Sequence, residues 1–198
     1  MENRNRMLKK ISISAVMLAV GTVLSFFKFE GLWILGGGVT FCAMLPLVIL
    51  SYRYGVRWGM SIALIFGILQ TLFGLENVQY ASSFFMAIQI VLLDYILAYG
   101  VIGFSGFLKK KCRNQSFSLI VGIWITFFGR FLCHFLSGWL IWDALWPNEV
   151  GMLAPVYSFC YNGSYMLPEA VITSLVALLL FKTVPKLLQN EDFFQGET

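Results

Sequence analysis

The chain has 198 residues, of which 59% are hydrophobic and 17% aromatic, and its 12% charged share is about half that of soluble domains. With a mean hydropathy of +0.78, this is more apolar surface than a water-soluble core absorbs, which excludes a soluble enzyme, a nucleic-acid binder and a disordered scaffold. The net charge of +4 lies between apolar runs, and the length fits about six spans of about 20 residues with short loops, hence a single membrane domain over residues 1–198.

Arg4, Arg6, Lys9 and Lys10 precede an uncharged stretch that resembles a secretory signal, with Ala19-Val20-Gly21 as a faint cleavage site. The apolar run continues to Phe27 and further spans follow, so the expectation is a retained first helix over 11–27. A second segment is expected over 39–51, after a glycine-rich lead-in at 31–38 that partly enters the membrane. The remaining segments are expected over 58–74, 82–107, 117–142 and 165–184. Their length and lack of period-two alternation separate them from barrel strands. The fold class is therefore an all-α integral membrane protein, a bundle of six transmembrane helices.

With the N-terminus inside, the inner segments hold Arg4, Arg6, Lys9, Lys10, Arg53, Arg57, Lys109, Lys110, Lys111, Arg113, Lys182 and Lys186, and the outer loops hold only Lys28. Twelve against one places both termini in the cytoplasm. The lysine run reads most simply as a solvated anchor at the lipid headgroups. Cys42, Cys112, Cys133 and Cys160 form no CxxC pair and read as packing residues, with no metal site. Gly36-Gly37-Gly38 lacks the Lys-Ser/Thr of a phosphate-binding loop, and no HExxH or GxSxG occurs. The chain is expected to be no enzyme, to need no cofactor and to hydrolyse no nucleotide by itself.

Ionisable residues within a membrane are costly and mark function. They fall on the last three spans: Asp94 on the fourth, Arg130 and His134 on the fifth, and Glu169 near the outer end of the sixth. At about 1.5 Å per residue, Asp94 lies about 18 Å from the outer end of its helix, His134 about 12 Å and Arg130 about 18 Å. Arg130 and His134, four apart, share a helix face. Two readings stand side by side: an Arg130–Asp94 ion pair that holds the bundle, and a ligand site. Trp139, Trp142, Trp146, Tyr157, Tyr161 and Tyr165 surround Asn162 along the fifth outer loop and the opening of the last helix. Each ring alone reads as an interfacial anchor. Together with an amide, an acid and a histidine at similar depth they have the composition of a pocket for a flat cationic or protonatable ligand. In the first helix, Ala15-x-x-x-Ala19 permits close approach of another helix, from within the bundle or from a partner.

These residues resemble the thiamine-specific substrate-binding components, or S-components, of energy-coupling-factor vitamin transporters. The resemblance extends over residues 11–186. It rests on Ala15-x-x-x-Ala19, on Leu45-Pro46 and the stretch from Tyr52-Arg53-Tyr54-Gly55 to Trp58-Gly59, and on Leu93-Asp94-Tyr95. Two more blocks carry it: Gly129-Arg130-Phe131-x-x-His134-Phe135-x-Ser137-Gly138 and Tyr157-Ser158-x-x-Tyr161-Asn162-x-x-Tyr165-x-x-Pro168-Glu169. The resemblance implies that Asp94, Tyr157 and Asn162 contact polar groups of thiamine, that Trp33, His134 and Trp142 wall its rings, and that Tyr95 and Arg130 support or contact it. Where the family commonly has Glu, this chain has Asp94, which keeps the charge and shortens the reach by one methylene. The resemblance further implies a bacterial plasma-membrane protein that captures the vitamin and works with a separate transmembrane coupling subunit, met at Ala15 and Ala19, and two ATPase subunits. The rivals are an S-component for another vitamin or a pyrimidine precursor, and an intramembrane enzyme using His134 and Asp94.

Overall fold

The computed structural model describes residues 2–30 and 37–188. The first helix, α1 (Glu2–Phe26), runs into strand β1 (Lys28–Glu30), which pairs antiparallel with β2 (Gly38–Thr40) in the register Lys28↔Thr40, Phe29↔Val39, Glu30↔Gly38. This ribbon is a small departure from an all-α chain. Trp33 and most of the glycine-rich lead-in, residues 31–36, lie outside the described residues.

The second expected span differs from its prediction. Val39 and Thr40 belong to β2, Cys42 adopts a left-handed backbone (φ 57°), and helix α2 covers only Leu45–Tyr54. The cause is local: Pro46 in the first turn fixes where the helix can start, and the Val39-Thr40 pair extends as strand. Ten residues rise about 15 Å, half of a hydrocarbon core. All of Leu45 to Tyr52 is buried, because α2 is walled by α1, by α3 (Val56–Phe73), by the end of the next long helix and by the short C-terminal α8 (Pro185–Leu188).

After the short α4 (Leu75–Gln79), α5 runs from Phe84 to Phe104 and α6 from Gln115 to Leu145. Ser83 and Asn114 cap them by accepting the backbone N–H groups of Met86 and Phe117. The last long helix, α7, spans Ala154–Thr183, starting eleven residues before the expected 165. Pro155 suits its first turn, and the polar stretch at 157–165 reads as loop by composition yet continues the helix. Among the described residues, five helices are long and apolar enough to cross a membrane: α1, α3, α5, α6 and α7.

Lys10, Arg53 and Lys109 gather at one end of the bundle. Lys10 lies over the rings of Tyr54 and Trp58, and Lys109 over that of Tyr52. Arg53 donates to the carbonyls of Lys186 and Leu187, and Lys109 to that of Leu188. Burial, with Arg53 and Lys110 beside it, lowers the Lys109 ammonium to about 8.

The main core cluster is built around α2, with a smaller one, Ile90, Tyr95 and Ile141, toward the other end. At the basic end the helices approach to backbone contact. Ser51 Oγ donates to the Gly103 carbonyl at 2.5 Å and accepts from the Gly106 N–H at 3.0 Å. A Cβ at Gly59 would stand 2.5 Å from that of Ser51, and one at Gly103 would stand 2.5 Å from the Met60 backbone. Small residues substitute here for the hydrophobic drive that lipid does not supply. Gly59→Val and Gly103→Val are therefore expected to destabilise the protein by about 1–3 kcal/mol or more, read as a lower thermal unfolding midpoint in detergent, whereas Gly55→Ala meets nothing within 4 Å and bears only the backbone cost of its positive φ.

Candidate functional site

Opposite the basic end, a cavity of about 1120 Å³ opens between α5, α6, α7, the ribbon and the ends of α1 and α3. Asp94, Tyr95, Arg130, His134, Trp142, Tyr157 and Asn162 all line it. Trp33 is outside the described residues, and Ala15 and Ala19 stand on the exposed face of α1, away from the cavity.

Two helices depart from α geometry where they meet this space. α5 is π-helical over Val91–Leu97 and α6 over Gly138–Trp142. A π turn rotates the following side chains out of the α pattern and is frequent at functional sites; here the two turns carry Asp94 and Tyr95 on one helix and Trp142 on the other. Asp94 is 8% exposed. Its Oδ2 accepts from Ser137 Oγ at 2.8 Å and from Trp142 Nε1 at 2.9 Å, while Oδ1 lies 3.4 Å from His134 Nδ1. These donors take the place of water around a charge held in an apolar setting.

Arg130 does not pair with Asp94, as one reading of the sequence had it. Its Nη1 donates to Glu169 Oε2 at 3.0 Å, and its guanidinium lies 5.1 Å from the centroid of Tyr99. The reason is the early start of α7: Glu169 lies about 22 Å along that helix, not at its outer end, which brings it level with Arg130. The other Glu169 oxygen accepts from Thr40 Oγ1 on β2. Asp94 and His134 thus form an upper polar layer, and Arg130, Glu169 and Tyr99 form a floor.

Along α7, Tyr157, Tyr161 and Tyr165 follow one another every four residues, with centroids 5.9 and 5.8 Å apart. Asn162 donates to the Ser158 carbonyl and hydroxyl and to the His134 carbonyl, and accepts from Tyr165 OH at 2.7 Å. It lines the cavity while binding α7 to α6. Gly138 makes that crossing possible, since a Cβ there would collide with Ser158 Oγ. Trp142 stacks on Trp146 at 5.5 Å and 7°, and Tyr80 meets Trp146 edge-on at 4.7 Å. Tyr95 OH donates to the Gly74 carbonyl and accepts from Asn77 Nδ2.

Sequence reasoning missed Ser137, Tyr99, Thr40 and the Glu169 partnership. Ser137 was within reach, three residues after His134 on the same helix face; the Thr40 bond crosses 129 positions and has no local signature. Two buried nitrogens at the cavity, His134 Nε2 and Arg130 Nε, have no hydrogen-bond partner among the described residues. A carboxylate, a free imidazole nitrogen and stacked indoles in one cavity suit a flat, positively charged heteroaromatic with polar substituents.

Residues 11–189 match the model of the family described as thiamine transporter protein. The thiamine transporter of Bacillus subtilis strain 168 is 29% identical, over 96% of this chain and 98% of its own length. That of Lacticaseibacillus paracasei is 26% identical, over 75% and 76%. Among solved structures, the thiamine transporter from Listeria monocytogenes superposes with a TM-score of 0.74 at 26% identity, covering 93% of this chain and 99% of that one. The S component of a bacterial energy-coupling-factor transporter superposes with a TM-score of 0.60 at 16% identity, covering 92% and 98%, which is a likeness of fold.

The floor generates its own prediction. Removing one partner of a buried ion pair leaves the other uncompensated, at a cost of about 3–5 kcal/mol. Glu169→Leu and Arg130→Met singly should lower the unfolding midpoint in detergent markedly, and the double replacement should lower it less than either single change does.

Proposed function

The chain belongs to the thiamine transporter protein family, and from that premise we propose that the cavity is a thiamine site organised around Asp94. The protein is a thiamine-transport S-component of the energy-coupling-factor type, a multi-pass protein of the bacterial plasma membrane and not an enzyme. The observation that carries the site is the Asp94 carboxylate, fixed by Ser137, Trp142 and His134 beside the Trp142–Trp146 stack.

Thiamine joins an aminopyrimidine to a permanently cationic thiazolium. In the proposed site the Asp94 charge, poorly screened in an apolar wall, offsets the thiazolium and accepts from the pyrimidine amine. Trp142, His134 and Trp33 wall the rings; Tyr157 and Asn162 contact polar groups; Tyr95 and Arg130 support the ligand. Tyr95 is held for this by Gly74 and Asn77.

The same proposal counts six membrane segments, with ribbon β1–β2 and α2 together filling the second, in a single membrane domain. Both termini are cytoplasmic, because Lys10, Arg53 and Lys109 all sit at the basic end, so the cavity opens outward. The chain captures the vitamin, and a separate transmembrane coupling subunit with two ATPases drives its release inward. The coupling subunit meets α1 at Ala15 and Ala19. That helix is the least buried of the five long ones, and Ser14, one residue from Ala15, faces inward to accept from Trp58 Nε1 at 2.9 Å.

Titration of detergent-purified protein with thiamine, followed by tryptophan fluorescence, is expected to show saturable quenching. Asp94→Asn, which keeps the shape and removes the charge, should weaken binding about ten- to a hundredfold, the equivalent of about 1.5–3 kcal/mol, and Asn162→Ala should weaken it as well. Equal quenching by riboflavin or biotin, or wild-type affinity in Asp94→Asn, would refute the site. Ala15→Trp and Ala19→Trp should leave this titration unchanged and abolish energised thiamine uptake in cells carrying the coupling subunits.

A further inference from the structure

Glu169 is 1% exposed, and both its oxygens are committed to groups on different parts of the chain: Oε2 to Arg130 on α6 and Oε1 to Thr40 on β2. One turn earlier on α7, Tyr165 lies against Gly37, whose backbone (φ +84°) leaves no room for a side chain, a Cβ there falling 2.5 Å from the Tyr165 ring. The short segment from 37 to 40 is thus seated on α7 at two places one helical turn apart. Immediately beyond it, Cys42 holds a left-handed backbone without being glycine, and its N–H donates to the Thr40 carbonyl at 3.0 Å. Such a conformation costs of order 1–3 kcal/mol and persists only where neighbouring contacts over-determine it. The Cys42 carbonyl in turn accepts from the Leu45 N–H at 3.0 Å, and the Thr40–Glu169 bond fastens the residue two positions before it.

We propose that Glu169 is a positioning residue for the cavity wall: its carboxylate fastens residues 37–40 to α7 through Thr40 while neutralising Arg130, and so slows escape of the ligand. The part concerning escape rests on the thiamine reading above. Gly37, Gly38 and Thr40 all line the cavity, so any loosening of this segment opens the side that faces α7. A hydrogen bond to a buried carboxylate is among the stronger ones, and its loss is expected to act locally because the remaining bond, to Arg130, still holds the floor.

The test compares Thr40→Val, isosteric but without the hydroxyl, with Thr40→Ser, which retains it. Hydrogen–deuterium exchange of the ligand-free protein in detergent should show faster exchange over residues 37–44 in Thr40→Val and wild-type exchange in Thr40→Ser. Stopped-flow tryptophan fluorescence should show thiamine leaving Thr40→Val about tenfold faster, with Thr40→Ser close to wild type. In a Glu169→Gln background, where the anchor is already weakened, adding Thr40→Val should change the dissociation rate by much less. Unchanged exchange over 37–44 in Thr40→Val would overturn the proposal. So would a rate increase that persists undiminished beside Glu169→Gln, which would mark Thr40 as a direct ligand contact. Exchange is read without ligand, so failure of the wild-type protein to bind thiamine would defeat the ligand reading and leave the fastening to stand or fall on exchange.

Discussion

A carboxylate within an apolar wall must find donors inside the protein, and here two carboxylates in one half of the bundle impose that demand together. Asp94 meets it with a hydroxyl, an indole N–H and an imidazole; Glu169 meets it with a guanidinium and a hydroxyl. Each set draws its donors from other parts of the chain, so satisfying the charges fixes how α5, α6, α7 and the ribbon stand to one another. The cavity lies between the two sets. Its shape therefore follows from electrostatic necessity as much as from apolar packing, which at this end includes a small buried cluster and the phenylalanine rings shared by α6 and α7.

The opposite half is built differently. There the helices meet through glycine and serine at backbone contact, around a buried α2, and basic side chains fold over tyrosine and tryptophan rings at the rim. A dense half and a hollow half divide the labour within one small chain: one resists deformation and the other accepts a ligand. α1 belongs fully to neither. It packs on α2 and α3 along one side and leaves its alanines on the other.

Much of this was legible in the sequence, for physical reasons that can be traced residue by residue. Long apolar runs bounded by charge marked α1, α3, α5 and α6, because hydrocarbon thickness sets a length that the sequence must match. The i, i+4 relation of Arg130 and His134 put them on one face without knowledge of the fold. What failed was local inference across irregular backbone. The run at 39–51 is apolar enough for a span, yet Pro46 and the preceding Val39-Thr40 divide it between strand and helix. The polar residues from Tyr157 to Tyr165 read as loop, because composition does not reveal that they face a cavity rather than lipid. That error carried a second with it: misplacing the start of α7 put Glu169 near the outer end of its span and left Arg130 with Asp94 as its nearest partner. The π turns that present Asp94 and Trp142 carry no reliable signal in a single sequence.

The brevity of α2 has a consequence for the origin of the binding volume. A helix about 10 Å across that stops about 15 Å short of a full crossing frees a column of about 1,200 Å³, and here the slim ribbon β1–β2 occupies part of it beside the cavity of about 1120 Å³. Met44, at the head of α2, lines the cavity together with Ser25 and Gln70, from the two helices that flank α2. Part of the room for a guest thus comes from replacing half a rod of the array with a thinner ribbon, beside the glycines that line the cavity. Capacity then scales in steps of a helical turn: where the rod ends sets how much the chamber holds, while the residues on the surrounding rods decide what it holds.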